Sequence, residues 1–297
     1  MIRYVRLEPD DGRRDMYPAN FDYVRVKTID DAIAALVRYG DDAKVLAGGH
    51  SLIPAMKLRL AQPKVIIDIG RIEQLTRIRE VDGRLAIGAM ATHHDIEVST
   101  LLRQRCPLMP AVASHIGDQQ VRNRGTIGGS LAHADPAADW PAAVVALDAE
   151  FEVAGPRGRR MLRASEFFVA LLETALRPDE ILCEIRVPAT GRSVAYVKSE
   201  QKASGFALAG VAVVVDKTAV RVGVTGVAAK AYRATAVERA LAGQPLTPHA
   251  IELAALHAAD DVDPLADIHA SAEFRAHLAQ VNARRALTQA LAASNGA

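Results

Sequence analysis

The amino-acid sequence predicts an α+β fold made of two domains. In the first part of the chain, short apolar segments alternate with glycine turns; after about residue 175, four apolar strands precede three helical stretches. A run of strands followed by a run of helices is typical of α+β proteins. The chain has 297 residues, about twice an average domain. We expect an N-terminal extension over residues 1–15, a first domain over 16–178 and a smaller one over 179–297.

Two helices of the first domain are predicted from local patterns. Apolar residues three or four positions apart mark one helical face, namely Ile29, Ile33, Leu36 and Val37. This spacing predicts a helix over 29–39 that ends at Gly40. Thr92 and Asp95 have the spacing of a capping box, which predicts a second helix through Leu102.

The other elements follow from apolar runs bounded by turn residues. In the first domain, strands are predicted at 44–46, 65–69 and 85–89, and a helix at 107–117. The apolar segment 141–147 fits either type. After about residue 175, strands are predicted at 181–187, 193–197, 210–215 and 219–227. Helices are predicted at 232–241, 248–259 and 271–293.

Composition excludes several classes of protein. Lys plus Arg number 36 against 35 Asp plus Glu, a formal net charge of +1, so the positive field that nucleic acids and anionic membranes require is missing. Cys106 and Cys183 belong to no Cys-x-x-Cys pair, which argues against a disulfide framework, a cysteine-ligated zinc site or an iron–sulfur cluster in this chain. The charged first residues and short apolar runs predict a cytoplasmic protein without a transmembrane segment.

Two Gly-Gly turns, each after an apolar segment, are the most informative feature. They are Ala47-Gly48-Gly49-His50-Ser51-Leu52 and Gly125-Thr126-Ile127-Gly128-Gly129-Ser130. Adjacent glycines permit unusual backbone conformations and remove side chains that would block a ligand. Successive amides can then converge on an anion, with the hydroxyls of Ser51, Thr126 and Ser130 as further donors. Two facing loops suit a pyrophosphate, whereas either loop alone fits an ordinary tight turn equally well.

Other chemical motifs are missing. The sequence has neither a Gly-x-Gly-x-x-Gly fingerprint nor a P-loop, and no serine in a Gly-x-Ser-x-Gly setting, so a Rossmann protein, a P-loop protein and a hydrolase are poorly supported. Asp135 and Asp139 follow the second turn and suit ribose hydroxyls. Five histidines lack metal-ligand spacing and are interpreted as caps or satisfied polar groups, namely His50, His93, His94, His115 and His133.

The two turns and the segment Asp135-Pro136-Ala137-Ala138-Asp139 resemble those of a known family. From about Met16 to its end, the chain is similar to the FAD-binding medium subunits of molybdenum hydroxylases, the family of carbon monoxide dehydrogenase medium chains and xanthine dehydrogenase FAD subunits. The resemblance implies a PCMH/VAO-type FAD-binding domain of two α/β subdomains, followed by a smaller C-terminal domain of sheet and helices. It implies an oxidoreductase with noncovalent FAD.

The resemblance also implies cofactor contacts. The first loop comprises Val45, Leu46, Ala47, Gly48, Gly49, His50, Ser51 and Leu52, and the second comprises Thr126, Ile127, Gly128, Gly129 and Ser130. Asp139 takes the position of the ribose-binding acid and Ile116 packs near the cofactor. Leu182 and Lys198, in the second domain, reach the flavin ring; for Lys198 a solvated strand end is the alternative. No catalytic or metal-binding residue is implied.

The partners implied by the resemblance carry the substrate chemistry. A large molybdopterin subunit oxidises the substrate, and a small subunit with [2Fe–2S] clusters passes the electrons to the flavin. An external acceptor such as a quinone then receives them. We expect a dimer of heterotrimers, cytoplasmic or held at the inner face of the membrane through its partners. The substrate stays open among carbon monoxide, an aldehyde, a purine and an N-heterocycle.

Two other functions remain open at this point. A free-standing flavin oxidase of the same superfamily would carry FAD attached to the histidine of a Gly-Gly-His-Ser turn, the position of His50. A nucleotide-sensing or scaffold module would bind FAD without turnover.

For the cofactor site itself, we expect Gly49→Val or Gly128→Val to abolish FAD retention, because a branched side chain would occupy the space of the phosphates.

Overall fold

The computed structural model describes residues 17–216 and 219–295, so the predicted extension over 1–15 lies outside the described residues. The first unit consists of β1 Asp22–Arg25, α1 Ile29–Tyr39, β2 Ala43–Leu46, α2 Leu52–Lys57 and β3 Val65–Asp68. Its strands form a parallel sheet in the order β1, β3, β2. The strands of a parallel sheet end at one edge, where ligands commonly bind. The first Gly-Gly turn follows β2 at this edge.

The first helix has the predicted bounds. Thr28 caps it by accepting a hydrogen bond from the amide of Asp31 at 3.0 Å, and Gly40, with a φ of +52°, ends it. The buried positions are Ile29, Ala32, Ala35 and Leu36. Val37, expected on this face, is 58% exposed. Small alanines fill the face instead, which lets the helix pack closely on the sheet.

The second unit is built around a five-stranded antiparallel sheet. The strands of this sheet are β4 Ile78–Val81, β5 Arg84–Gly88, β6 Glu150–Gly155, β7 Gly158–Arg163 and β10 Ile181–Pro188, and the unit also contains β8 Phe168–Ala170 and β9 Glu173–Thr174. Its helices are α3 His93–Val98, α4 Thr100–Arg105, α5 Leu108–Ser114, α6 Gln119–Arg122, α7 Ile127–His133, α8 Trp140–Ala146 and α9 Ala164–Phe167. The sheet order is β4, β5, β10, β6, β7, and β8 pairs with β9 separately.

The strand at 181–188 belongs to this sheet. Ile185 of β10 pairs with Ile87 of β5 and with Phe151 of β6. The predicted boundary at residue 178 places this strand in the second domain, whereas its pairing joins it to the strands of the first. An apolar run shows that a strand is buried but not which sheet it joins, because pairing and register are long-range properties.

The capping box at Thr92 is confirmed, but the helix after it is shorter than predicted. The amide of Asp95 donates to the hydroxyl of Thr92 at 3.0 Å, and the amide of Thr92 donates to the carboxylate of Asp95 at 2.9 Å. The helix breaks at Ser99, whose hydroxyl accepts the amide of Leu102 at 3.3 Å. A serine side chain can compete with the helical backbone in this way, so two short helices replace one.

The C-terminal domain is a four-stranded antiparallel sheet with three helices. Its strands are β11 Val194–Glu200, β12 Ala207–Val215, β13 Val220–Thr225 and β14 Tyr232–Arg233, in that order. Its helices are α10 Thr235–Leu241, α11 Pro248–Ala255 and α12 Ala272–Asn295. The helix predicted over 232–241 starts later than expected because its first residues form β14. None of the described helices is long and apolar enough to cross a membrane.

Helix α8, the segment whose type the sequence left open, joins the two domains. All seven of its residues are buried, and it packs against β12 and β13. A Cβ at Gly223 would lie 2.1 Å from the carbonyl oxygen of Ala142, so only glycine permits this approach. The hydroxyl of Thr225 donates to the carbonyl of Pro136 at 2.7 Å. These contacts fix the position of Asp139, which lies directly before the helix.

Candidate functional site

The first Gly-Gly turn offers amide donors at the edge of the parallel sheet. Gly49 has a φ of +83°, which favours glycine, and its carbonyl accepts the amide of Ile53 at 3.0 Å. In the described chain, no backbone carbonyl accepts a hydrogen bond from the amides of Gly48, Gly49, His50 or Ser51. Successive amides without a carbonyl partner form a surface that suits an anion.

The second Gly-Gly turn has a different role, because its amides are already bonded inside the protein. The amide of Ile127 donates to Ala91 O at 3.1 Å and that of Gly128 to Ala89 O at 2.8 Å. The amide of Gly129 donates to Thr126 Oγ1 at 3.2 Å and that of Ser130 to Thr126 O at 3.0 Å. The sequence predicts that amides of both loops bind a diphosphate. In the structure the second-loop amides already donate to protein oxygens, so the amides that could meet an anion are those of the first loop.

The two turns meet in space. A Cβ at Gly48 would lie only 2.2 Å from the carbonyl oxygen of Arg124, directly before the second turn. A Cβ at Gly129 would lie 3.4 Å from the Cβ of Ala47 in the first turn. Gly48 is therefore required at the junction, since any side chain would push the two loops apart.

Gly128 packs against Ala89, the residue that follows β5. A Cβ there would lie 2.4 Å from the Cβ of Ala89 and 2.6 Å from its carbonyl oxygen. A Cβ at Gly49 would likewise meet the side chain of Ile53, at 2.7 Å. The side chains of both valine variants would therefore collide with protein atoms in addition to any phosphate.

We still predict that Gly128→Val abolishes FAD retention, now because the side chain displaces α7 together with the second turn. Flavin absorbance per chain should fall, and the melting temperature should fall with it, since overpacking a core is destabilising. Loss of flavin at an unchanged melting temperature would contradict this explanation and favour the original one.

Asp139 and Lys198, distant in sequence, form an ion pair across the domain interface. Nζ of Lys198 lies 3.1 Å from Oδ1 of Asp139, and its side chain is 1% exposed. The ammonium also donates to the carbonyls of His115 at 2.6 Å and Gly205 at 2.8 Å. The hydroxyl of Tyr196 donates to the same Oδ1 at 2.6 Å. A carboxylate oxygen of Glu200 lies 3.5 Å from the same ammonium. Lys198 is thus no solvated strand end but a buried cation with four oxygen partners.

Burial and charge act against each other in this cluster. Burial raises the pKa of the Asp139 carboxyl above its ordinary value, and the Lys198 ammonium and Tyr196 hydroxyl limit the rise. Burial and the Asp139 carboxylate raise the pKa of Tyr196, so this phenol stays protonated and donates. Burial and Lys198 lower the pKa of His115. The sequence does not mark Tyr196 as a site residue. A tyrosine two positions before a lysine in an apolar strand fits no motif for cofactor binding.

The remaining predicted contacts occupy different surroundings. Val45 and Leu46 end β2, and Ile116 is half-buried against the main core. Leu182 is buried within β10 of the second unit, so it does not belong to the C-terminal domain as predicted. His50 is exposed on the first turn.

The residues of this region fit FAD. The amides of the first turn can donate to pyrophosphate oxygens, and the carboxylate of Asp139 can accept from the sugar hydroxyls of FAD. Tyr196 and Lys198 both bind Oδ1, which leaves Oδ2 for a cofactor hydroxyl.

Cys106 and Cys183 are free, buried thiols. In residues 17–216 and 219–295, no three His, Cys, Asp or Glu side chains are grouped to hold a metal ion.

Two family models together match almost the whole chain. The FAD binding domain in molybdopterin dehydrogenase matches residues 19–190, and the CO dehydrogenase flavoprotein C-terminal domain matches residues 194–290. The chain belongs to this family of FAD-binding oxidoreductase subunits. The two matched ranges divide after β10, in agreement with its pairing.

Individual relatives agree with this assignment. The carbon monoxide dehydrogenase medium chain of Hydrogenophaga pseudoflava is 42% identical over 93% of this chain and 99% of its own length. The nicotine 6-hydroxylase medium subunit of Paenarthrobacter nicotinovorans is 38% identical over 90% of this chain and 96% of its own length. A solved structure of the Hydrogenophaga pseudoflava carbon monoxide dehydrogenase superposes with a TM-score of 0.90, covering 93% of this chain and 99% of that chain. This chain is accordingly an FAD-binding medium subunit of the molybdenum hydroxylase type.

Proposed function

We propose that this chain is the flavin subunit through which electrons leave a heterotrimeric molybdenum hydroxylase. It takes them from [2Fe–2S] clusters of a small subunit and passes them to an external acceptor such as a quinone, while a large molybdopterin subunit oxidises the substrate. The contact between the two glycine turns is the observation that carries the proposal, and the buried Asp139–Lys198 pair supports it. The medium chains among its relatives are subunits of larger enzymes, which supports a partner-dependent role.

FAD supplies the redox chemistry, since it accepts electrons and releases them to an acceptor. The chain itself binds and tunes the cofactor. The first-turn amides would hold the pyrophosphate, and Asp139 would orient a sugar hydroxyl of the cofactor. Lys198 is a buried cation whose field stabilises negative charge, so it favours the reduced state of a flavin held near it.

The proposal is tested by isolating the tagged chain from its own cells and measuring flavin, iron and molybdenum per chain. We expect all three in the same complex, and we expect the flavin absorbance to bleach when a substrate such as carbon monoxide, an aldehyde or an N-heterocycle is supplied without an acceptor. A chain that carries flavin but no iron or molybdenum would contradict the proposal and favour the free-standing oxidase. Flavin that stays oxidised with every substrate would favour the scaffold module.

The attachment of FAD distinguishes this proposal from an oxidase with flavin bound to His50. We predict that acid precipitation releases the yellow colour into the supernatant, because amides and Asp139 bind FAD without a covalent bond. His50→Asn should therefore retain its flavin. Colour that stays in the wild-type pellet, and disappears from the pellet of this variant, would show a covalent bond and contradict the prediction.

We also propose that the complex is a dimer of heterotrimers in the cytoplasm, or at the inner face of the membrane through its partners. Light scattering of the isolated complex and fractionation of cell extracts test the two statements separately. A single heterotrimer, or a complex outside the cytoplasm, would contradict them.

A further inference from the structure

His93 lies directly behind the second Gly-Gly turn. It is the first residue of α3 and is 4% exposed. Its amide donates to the carbonyl of Gly125 at 3.0 Å, and a Cβ at Gly125 would lie 2.7 Å from its Nε2. The preceding Thr92 forms a β-bridge with Thr126. The imidazole and the turn are therefore in direct contact.

The ring of His93 also binds Trp140. The indole Nε1 donates to Nδ1 of His93 at 3.1 Å, and because an indole N–H can only donate, Nδ1 must be the acceptor. A neutral His93 thus carries its proton on Nε2. Burial is the main cause that lowers the pKa of His93 to about 4, and the nearby His50 and Arg122 lower it further. The ring is neutral at physiological pH.

These contacts connect the two halves of the cofactor site. On one side His93 holds the second turn, and on the other it holds Trp140, which directly follows Asp139 in the sequence. We propose that His93 is a positioning residue for the FAD site, which keeps the second turn and Asp139 at a fixed separation through its neutral imidazole. The inference rests on the proposed flavin function and adds a residue that lies outside the predicted cofactor contacts.

Two changes would break this connection. Trp140 is fully buried, so an apolar residue at position 93 would leave its N–H unpaired, which is costly in a protein interior. Protonation of His93 would turn its Nδ1 from an acceptor into a donor that faces the indole N–H of Trp140. It would also place a positive charge beside Arg122 and His50. Either change is expected to move Asp139 relative to the second turn.

The test measures the FAD dissociation constant on the complex isolated with its partner subunits. We expect His93→Leu to raise this constant about tenfold, the effect of one unpaired buried donor. His93→Asn, whose carbonyl can accept from Trp140, should restore it to within about threefold of wild type. The single tryptophan of the chain is Trp140. Its fluorescence in the full chain should change in His93→Leu and return in His93→Asn.

A purely structural role predicts a different pattern. If His93→Leu lowers the melting temperature but keeps the wild-type dissociation constant, the proposal is overturned. If this variant does not fold, Trp140→Phe is measured instead, and an unchanged constant there overturns the proposal too. A wild-type complex without flavin would overturn the proposed function itself, which is a separate result.

The pH profile gives a further readout. The FAD dissociation constant of wild type should be flat at neutral pH and rise as the pH falls toward about 4, where His93 gains a proton. His93→Asn lacks this titration, so the difference between the two profiles isolates His93 from other groups such as Asp139. Identical profiles would overturn the proposal.

Discussion

Gly48→Ala is expected to remove most of the FAD from this protein. The added methyl group would lie 2.2 Å from the carbonyl oxygen of Arg124, which is far closer than any relaxed contact. The obstacle is backbone, so no side-chain rotation can relieve it. The two turns must separate, and overpacking of this kind costs about 1–3 kcal/mol. If the contact between the turns is needed for pyrophosphate binding, the FAD dissociation constant rises about 10- to 100-fold.

The measurement is flavin absorbance per chain after dialysis, together with titration of FAD. Gly191→Ala is a matched control, because a Cβ there has no atom within 4 Å, and it should keep wild-type flavin. Gly48→Ala with full flavin content would show that the contact between the turns is not part of the cofactor site. The central observation behind the proposed function would then be lost.

Lys198→Met is expected to have the largest effect on stability. The ammonium of Lys198 is buried, and its removal leaves the carboxylate of Asp139 without a cationic partner inside the protein. Breaking a buried ion pair from one side costs about 3–5 kcal/mol. The free energy of unfolding should fall by that amount, and flavin should be lost because Asp139 and the domain interface move.

Denaturant unfolding at neutral pH measures this effect. Lys202→Met serves as the control, since Lys202 is exposed, and it should change stability by less than about 0.5 kcal/mol. The double variant Lys198→Met/Asp139→Asn removes both charges and should recover part of the loss. A Lys198→Met protein as stable as wild type would mean that the pair does not hold the interface together.

Local patterns in the sequence predicted individual elements well where the signal itself is local. The helix at 29–39 follows from its apolar spacing and from Gly40, and the capping box of Thr92 and Asp95 forms as expected. The break at Ser99 was missed, because serine is common both within and between helices. The strand at 181–188 was found, but its sheet was not, since pairing depends on segments far away in the chain.

The sequence by itself determined the family, the cofactor class and the position of the two Gly-Gly turns, because these depend on residue types at fixed spacing. Only the tertiary structure showed that Gly48 lies against the segment before the second turn and that Lys198 pairs with Asp139. It alone also showed that the amides of the second turn donate to oxygens within the protein. The physical reason is the same in each case. A contact between residues distant in the chain is set by how whole elements pack, and no short stretch of sequence records that packing.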